Sequence, residues 1–124
     1  MLKTLTVTFF CCSFAIFCSA QLADSKWKAT LDIESGIDVL LSFGTDTLQV
    51  FSSDDEMLVE TMTYSYQDST ITIIKVDGQS DCEPGKSSKY SLLIKGDSAT
   101  FKAVEDSCDT RKWALDNVTM HKKE

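Results

Sequence analysis

Trp27-Lys28-Ala29-Thr30-Leu31-Asp32-Ile33-Glu34 alternates apolar and polar side chains without a break. A period of two places Trp27, Ala29, Leu31 and Ile33 on one face and the four polar residues on the other. That is the pattern of a strand with one buried and one wet face. Ser35-Gly36 follows as a turn signal, and the same alternation then recurs along the chain. Residues 37–43 carry Val39, Leu41 and Phe43 on one parity, and Gly44-Thr45-Asp46 leads into residues 47–51. Residues 57–66 bring Leu58, Met62, Tyr64 and Tyr66, and after Gln67-Asp68-Ser69 the β-branched run 70–76 contains Ile73. Residues 89–95 and 98–104 flank Gly96-Asp97, a two-residue hairpin turn, and supply Leu92 and Phe101. A last strand is predicted over 113–121, on Trp113 and Leu115, with a solvated tail from His121.

These eight short segments, with no stretch of helical period between them, predict an all-β domain. Pairing the first strand with the last removes both exposed sheet edges, an aggregation hazard in an open sheet. The expected architecture is therefore an eight-stranded antiparallel up-and-down β-barrel rather than a sandwich. The longest irregular connection is Asp77–Ser88, which holds Cys82 and the only proline, Pro84.

The start of the chain reads differently. Met1-Leu2-Lys3, an apolar run from Leu5 to Phe17 and the small-residue site Cys18-Ser19-Ala20 have the form of a secretory signal peptide cleaved after Ala20. The run is too short for the ~20 residues that span a bilayer. A lipid anchor fits less well, because Cys11 and Cys18 each follow a phenylalanine. The expected organisation is a leader at 1–20 and one domain at 21–124, secreted or periplasmic, with no integral membrane segment after cleavage and no partner subunit. Three of the five cysteines leave with the leader, and Cys82 and Cys108 pair by default in an oxidising compartment. The formal net charge moves from −7 to −8 with the loss of Lys3, which disfavours nucleic acid as a partner.

Residue chemistry offers little for catalysis. His121 is the only histidine and no serine or cysteine nucleophile is tied to it. Ser52-Ser53-Asp54-Asp55-Glu56 lacks the ligand spacing and central glycine of a calcium loop. No phosphate-binding glycine motif and no metal spacing occurs, so no catalytic residue, metal or cofactor is expected. Asn117-Val118-Thr119 is a glycosylation sequon placed within the predicted last strand.

Asp106-Ser107-Cys108-Asp109-Thr110-Arg111 crowds a cysteine and the only arginine in the chain into six residues just before the last predicted strand. Together, Cys82…Lys89-Tyr90-Ser91-Leu92-Leu93-Ile94 and Asp106-x-Cys108-x-x-Arg111-x-x-x-Leu115 resemble the small, exported, mostly bacterial lipocalin-like domain family over about residues 25–122. Trp27 early in the first strand and Arg111 before the last resemble the calycin arrangement, in which such a pair packs across the closed end of the barrel. Ser25 stands where lipocalins carry the glycine of Gly-x-Trp. The resemblance implies that Arg111 lies over the Trp27 indole as a structural closure, a cation–π contact of roughly 0.5–2 kcal/mol.

It also implies a carrier of a small apolar ligand, lined by Val39, Leu41, Phe43, Met62, Tyr64, Ile73, Leu92 and Phe101. An eight-stranded barrel can equally be filled solid by the same side chains and act through its outer surface as an envelope or extracellular interaction module. With Asp77–Ser88 pinned by Cys82 over a sealed Trp27–Arg111 end, the mouth is expected at Gly44–Asp46, Gln67–Ser69 and Gly96-Asp97, giving a shallow cavity.

Overall fold

A computed structural model describes residues 22–33 and 36–123. The predicted leader, its cleavage site and Ser35 of the first turn lie outside the described residues. The strands are β1 (Ser25–Leu31), β2 (Ile37–Phe43), β3 (Thr47–Ser52), β4 (Leu58–Gln67), β5 (Thr70–Gly78), β6 (Ser87–Lys95), β7 (Ser98–Glu105) and β8 (Thr119–Lys123). Each pairs antiparallel with the next in the chain, and β8 returns to β1, so the sheet closes into the expected eight-stranded barrel. Strict alternation is what makes closure possible. Trp27, Ala29, Leu41, Phe43, Leu48, Ile71, Ile73, Tyr90, Leu92 and Phe101 all fall on the inward parity and form one core. Asp68 and Ser69 both take positive φ, the twist required of a two-residue hairpin turn, between Gln67 and Thr70.

The region after β7 departs from the expectation. Asp109–Leu115 is an α-helix, α1, and β8 starts only at Thr119. The buried residues of α1 are Arg111, Ala114 and Leu115, at i, i+3 and i+4, while Trp113 points out and is 69% exposed. Seven residues make two turns, too few to establish a period beside the Trp113–Leu115 alternation. The backbone N–H of Asp32 donates to Ala114 O (3.2 Å), fastening α1 across the barrel end reached by β1. His121 is therefore a paired residue of β8 opposite Lys28, not part of a tail. The sequon residue Asn117 lies in the exposed turn after α1 rather than in a strand, with positive φ.

The register separates the two barrel ends. Gly44–Asp46, Asp68-Ser69 and Gly96-Asp97 lie at the end where β1 begins; α1, the Asp77–Ser88 connection and the 53–57 turn lie at the other. Trp27 belongs to the first end and Arg111 to the second. Five residues of extended chain, about 17 Å, separate Trp27 from Asp32, where α1 docks. The expected Trp27–Arg111 stack is thus overturned: each residue is buried, at 1% and 7% exposure, but at opposite ends of the barrel.

Candidate functional site

The Trp27 end is filled. Trp27 Nε1 donates to Ser25 Oγ (2.8 Å), and the Ser25 hydroxyl in turn donates to the carbonyl of Leu22, itself fully buried. Ser25 thus supplies the acceptor that a buried indole N–H requires. Phe43 and Tyr64 meet edge to face with ring centroids 5.1 Å apart, and the Tyr64 hydroxyl donates to Gly44 O (2.6 Å). The expected mouth at Gly44–Asp46, Gln67–Ser69 and Gly96-Asp97 is therefore a plug.

The helix end is built around one carboxylate. Asp106, immediately after β7, has a side chain with no exposed surface; Arg111 on the first turn of α1 is 6% exposed at its side chain. Arg111 Nε donates to Asp106 Oδ2 and Nη2 to Oδ1, each at 2.8 Å, a bidentate fork that only arginine can supply. The Cys108 backbone N–H donates to Oδ1 (2.9 Å), and the Tyr90 hydroxyl on β6 donates to Oδ2. Burial pushes Asp106 upward, but the hydrogen bonds from Arg111, Tyr90 and Cys108 outweigh it and hold the carboxyl below its ordinary value. The same hydrogen bond raises Arg111. Burial, then the Asp106 hydrogen bond, pushes the Tyr90 hydroxyl well above 10. Tyr90 also packs edge to face on Phe101, with centroids 6.1 Å apart. The third guanidinium nitrogen is unmet: Arg111 Nη1 is buried without a hydrogen-bond partner.

Cys82–Cys108 is formed, with Cα atoms 5.5 Å apart, and ties the β5–β6 connection to the start of α1. Asp81 lies beside the two sulfurs, but both are spent in the S–S bond and cannot ligate a metal. A second buried ion pair sits below the connection. Glu60 of β4 and Lys75 of β5 approach to 3.7 Å, and Ser80 bridges them: Lys75 Nζ donates to Ser80 O (2.7 Å), and Ser80 Oγ donates to Glu60 Oε2 (2.5 Å). Gly78, with φ +149°, makes room for this, since a Cβ there would run into Glu60 Oε1 and Val59 O.

Between α1, Ser80, Cys82 and the strands lies a cavity of about 120 Å³ with almost purely apolar walls. Of the eight expected ligand-contacting residues, Leu41, Met62, Ile73 and Phe101 line it; Val39, Phe43, Tyr64 and Leu92 are buried but do not. Arg111, Ala114 and Leu115 complete the wall from α1. Sequence reading missed Tyr90, Glu60, Lys75 and Ser80. The signal for two of them was parity, because Glu60 shares the inward parity of Met62 and Tyr64, and Lys75 that of Ile71 and Ile73.

Among the described residues no helix is long and apolar enough to cross a membrane. Comparison with protein-family models, curated proteins and solved structures gives no match.

Proposed function

We propose that this is an exported, non-catalytic, lipocalin-like binding protein that takes one small apolar molecule into the cavity beneath α1. The observation that carries the reading is the pairing of an apolar cavity with a buried, unpartnered guanidinium N–H on its lining residue Arg111. An unsatisfied buried donor is costly, and a ligand bearing one acceptor, such as a small aromatic or short-chain carboxylate, would relieve that cost. Dry apolar cavities of this order, roughly 150 Å³, take up molecules the size of benzene. A ligand this small binds weakly, with Kd on the order of 0.1–1 mM.

The second reading, a packed module acting through its surface, is favoured by size: drug-like ligand sites start at about 300 Å³, and this cavity is smaller. Titration of toluene and benzoate into ¹⁵N-labelled protein, followed by amide shifts, separates the two. The binding reading expects saturable shifts around Leu41, Met62, Phe101 and α1, abolished by Ala114→Leu, which fills the cavity. Absence of saturable shifts with either compound supports the packed module.

A further inference from the structure

We propose that the outer wall over β8, β1, β2 and β3 binds an anionic polysaccharide chain. The barrel seam sets like charges against each other where Lys26 of β1 stands opposite Lys123 of β8, and one pair along, Lys28 stands opposite His121. Cross-strand partners of this kind sit about 5 Å apart, and successive outward residues of one strand about 7 Å apart. The result is a two-by-two array of basic side chains on one face. All four are exposed, and among the described residues none makes an ion pair or a side-chain hydrogen bond. Like charges directly opposite each other weaken a sheet. Here they face each other across the short strand that closes the barrel, in a chain whose net charge is −7. An anionic occupant converts that repulsion into attraction.

The array floors one part of an open groove of about 1100 Å³ on the outer wall. Its remaining lining selects the class of occupant. Thr30, Ser42, Gln49 and Thr119 offer hydroxyl and amide groups, and Phe51 a half-buried ring, toward the same groove. Hydroxyls, an amide, one aromatic ring and paired cations suit a polyhydroxylated chain carrying carboxylate or sulfate. Asp38, which accepts from Thr30 Oγ1 (2.6 Å), and Glu56 line the groove toward the helix end, so the anionic units belong over β8 and the start of β1. A nucleic-acid strand would call for several stacking aromatics, and only Phe51 is present. An acidic peptide would gain most from a free strand edge, which the closed barrel lacks. A membrane surface would call for large apolar side chains free to insert, and the outward Leu40 and Phe51 of this wall are half-buried.

The test is fluorescence anisotropy of labelled heparin, used as a sulfated polysaccharide, titrated with the protein at low and at physiological ionic strength. Labelled dextran, poly-glutamate, an oligonucleotide and anionic vesicles serve as comparison arms. Saturable heparin binding is expected, weakening with salt and absent with dextran. Lys26→Gln/Lys28→Gln/Lys123→Gln should weaken it about tenfold or more. Lys89→Gln/Lys95→Gln/Lys112→Gln, which removes the same charge elsewhere, should leave it within about twofold. The seam variant should melt at or above the wild-type temperature, since it relieves repulsion, so a lost signal cannot be ascribed to unfolding. Heparin binding that survives the seam variant, or no binding at low salt, overturns the proposal. Equal or tighter binding of poly-glutamate, the oligonucleotide or vesicles overturns the assignment to polysaccharide. The cavity beneath α1 plays no part in this site, so either reading can fail alone.

Discussion

Replacing Asp106 by alanine tests the architecture of the helix end. The wild-type carboxylate receives two bonds from Arg111, one from the Cys108 N–H and one from the Tyr90 hydroxyl, with no exposed side-chain surface. Its removal leaves a guanidinium buried at 6% exposure with its charge uncompensated and with Nη1 already unpartnered. Breaking a buried pair from one side costs about 3–5 kcal/mol, a large part of the roughly 5–15 kcal/mol that holds a domain folded. Urea unfolding with the disulfide intact, followed by tryptophan fluorescence and far-UV circular dichroism, measures the loss. Asp106→Leu/Arg111→Met, which removes both charges, should lose less than Asp106→Ala alone. The effect also has a pH signature. Because the folded-state value of Asp106 is depressed, its contribution is complete above the ordinary 3.8 and is lost as pH falls through the depressed folded value. The gap between wild type and Asp106→Ala should therefore narrow in that acid range. A loss under about 1 kcal/mol at neutral pH, or a gap of unchanged size in acid, would mean that Asp106 does not compensate a buried Arg111 charge.

Cys82→Ala/Cys108→Ala opens a 26-residue loop and should cost about 3–4 kcal/mol in the chain-entropy model; Ellman titration of unreduced, denatured protein beginning at Gln21 should find no free thiol, and two would contradict the bridge. Gly78→Ala places a Cβ against Glu60 and Val59 O at φ +149°, so a loss of about 1–3 kcal/mol is expected, and wild-type stability would mean that the Glu60–Lys75–Ser80 cluster is loose. Tyr90, held protonated by burial and Asp106, contributes stability that is complete below its ordinary value of 10.0 and lost as pH rises beyond it. Tyr90→Phe should unfold less steeply in alkali than wild type, and identical alkaline profiles would contradict that assignment.

The strands were legible because one wet and one dry face impose alternation, and seven of eight segments were located by parity and turn residues alone. The barrel followed from the need to pair the first and last edges. The helix was not legible: Trp113 and Leu115 imitate a strand, and the real signal, burial of Arg111, Ala114 and Leu115, needs the knowledge that an arginine lies inside. The partner of Arg111 was misjudged for a related reason. Asp106, five residues before it, pairs with it locally through Nε and Nη2, while Trp27 finds Ser25 two residues away. Misplacing Arg111 also misplaced the mouth, since the residues expected to form an opening instead surround a packed Phe43–Tyr64 plug. The candidate site was half legible. Inward parity identifies wall residues such as Leu41, Met62, Ile73 and Phe101, but not which end of the barrel leaves space between them.

The most direct measurement is an intermolecular nuclear Overhauser experiment on methyl-labelled protein saturated with toluene. Contacts are expected from the toluene ring to Leu41, Met62, Ile73 and Leu115, on the methyl-bearing part of the cavity wall beneath α1, and none to Val39 or Leu92. Contacts confined to outward residues such as Leu40 or Leu93, or no contacts at saturating toluene, would contradict it.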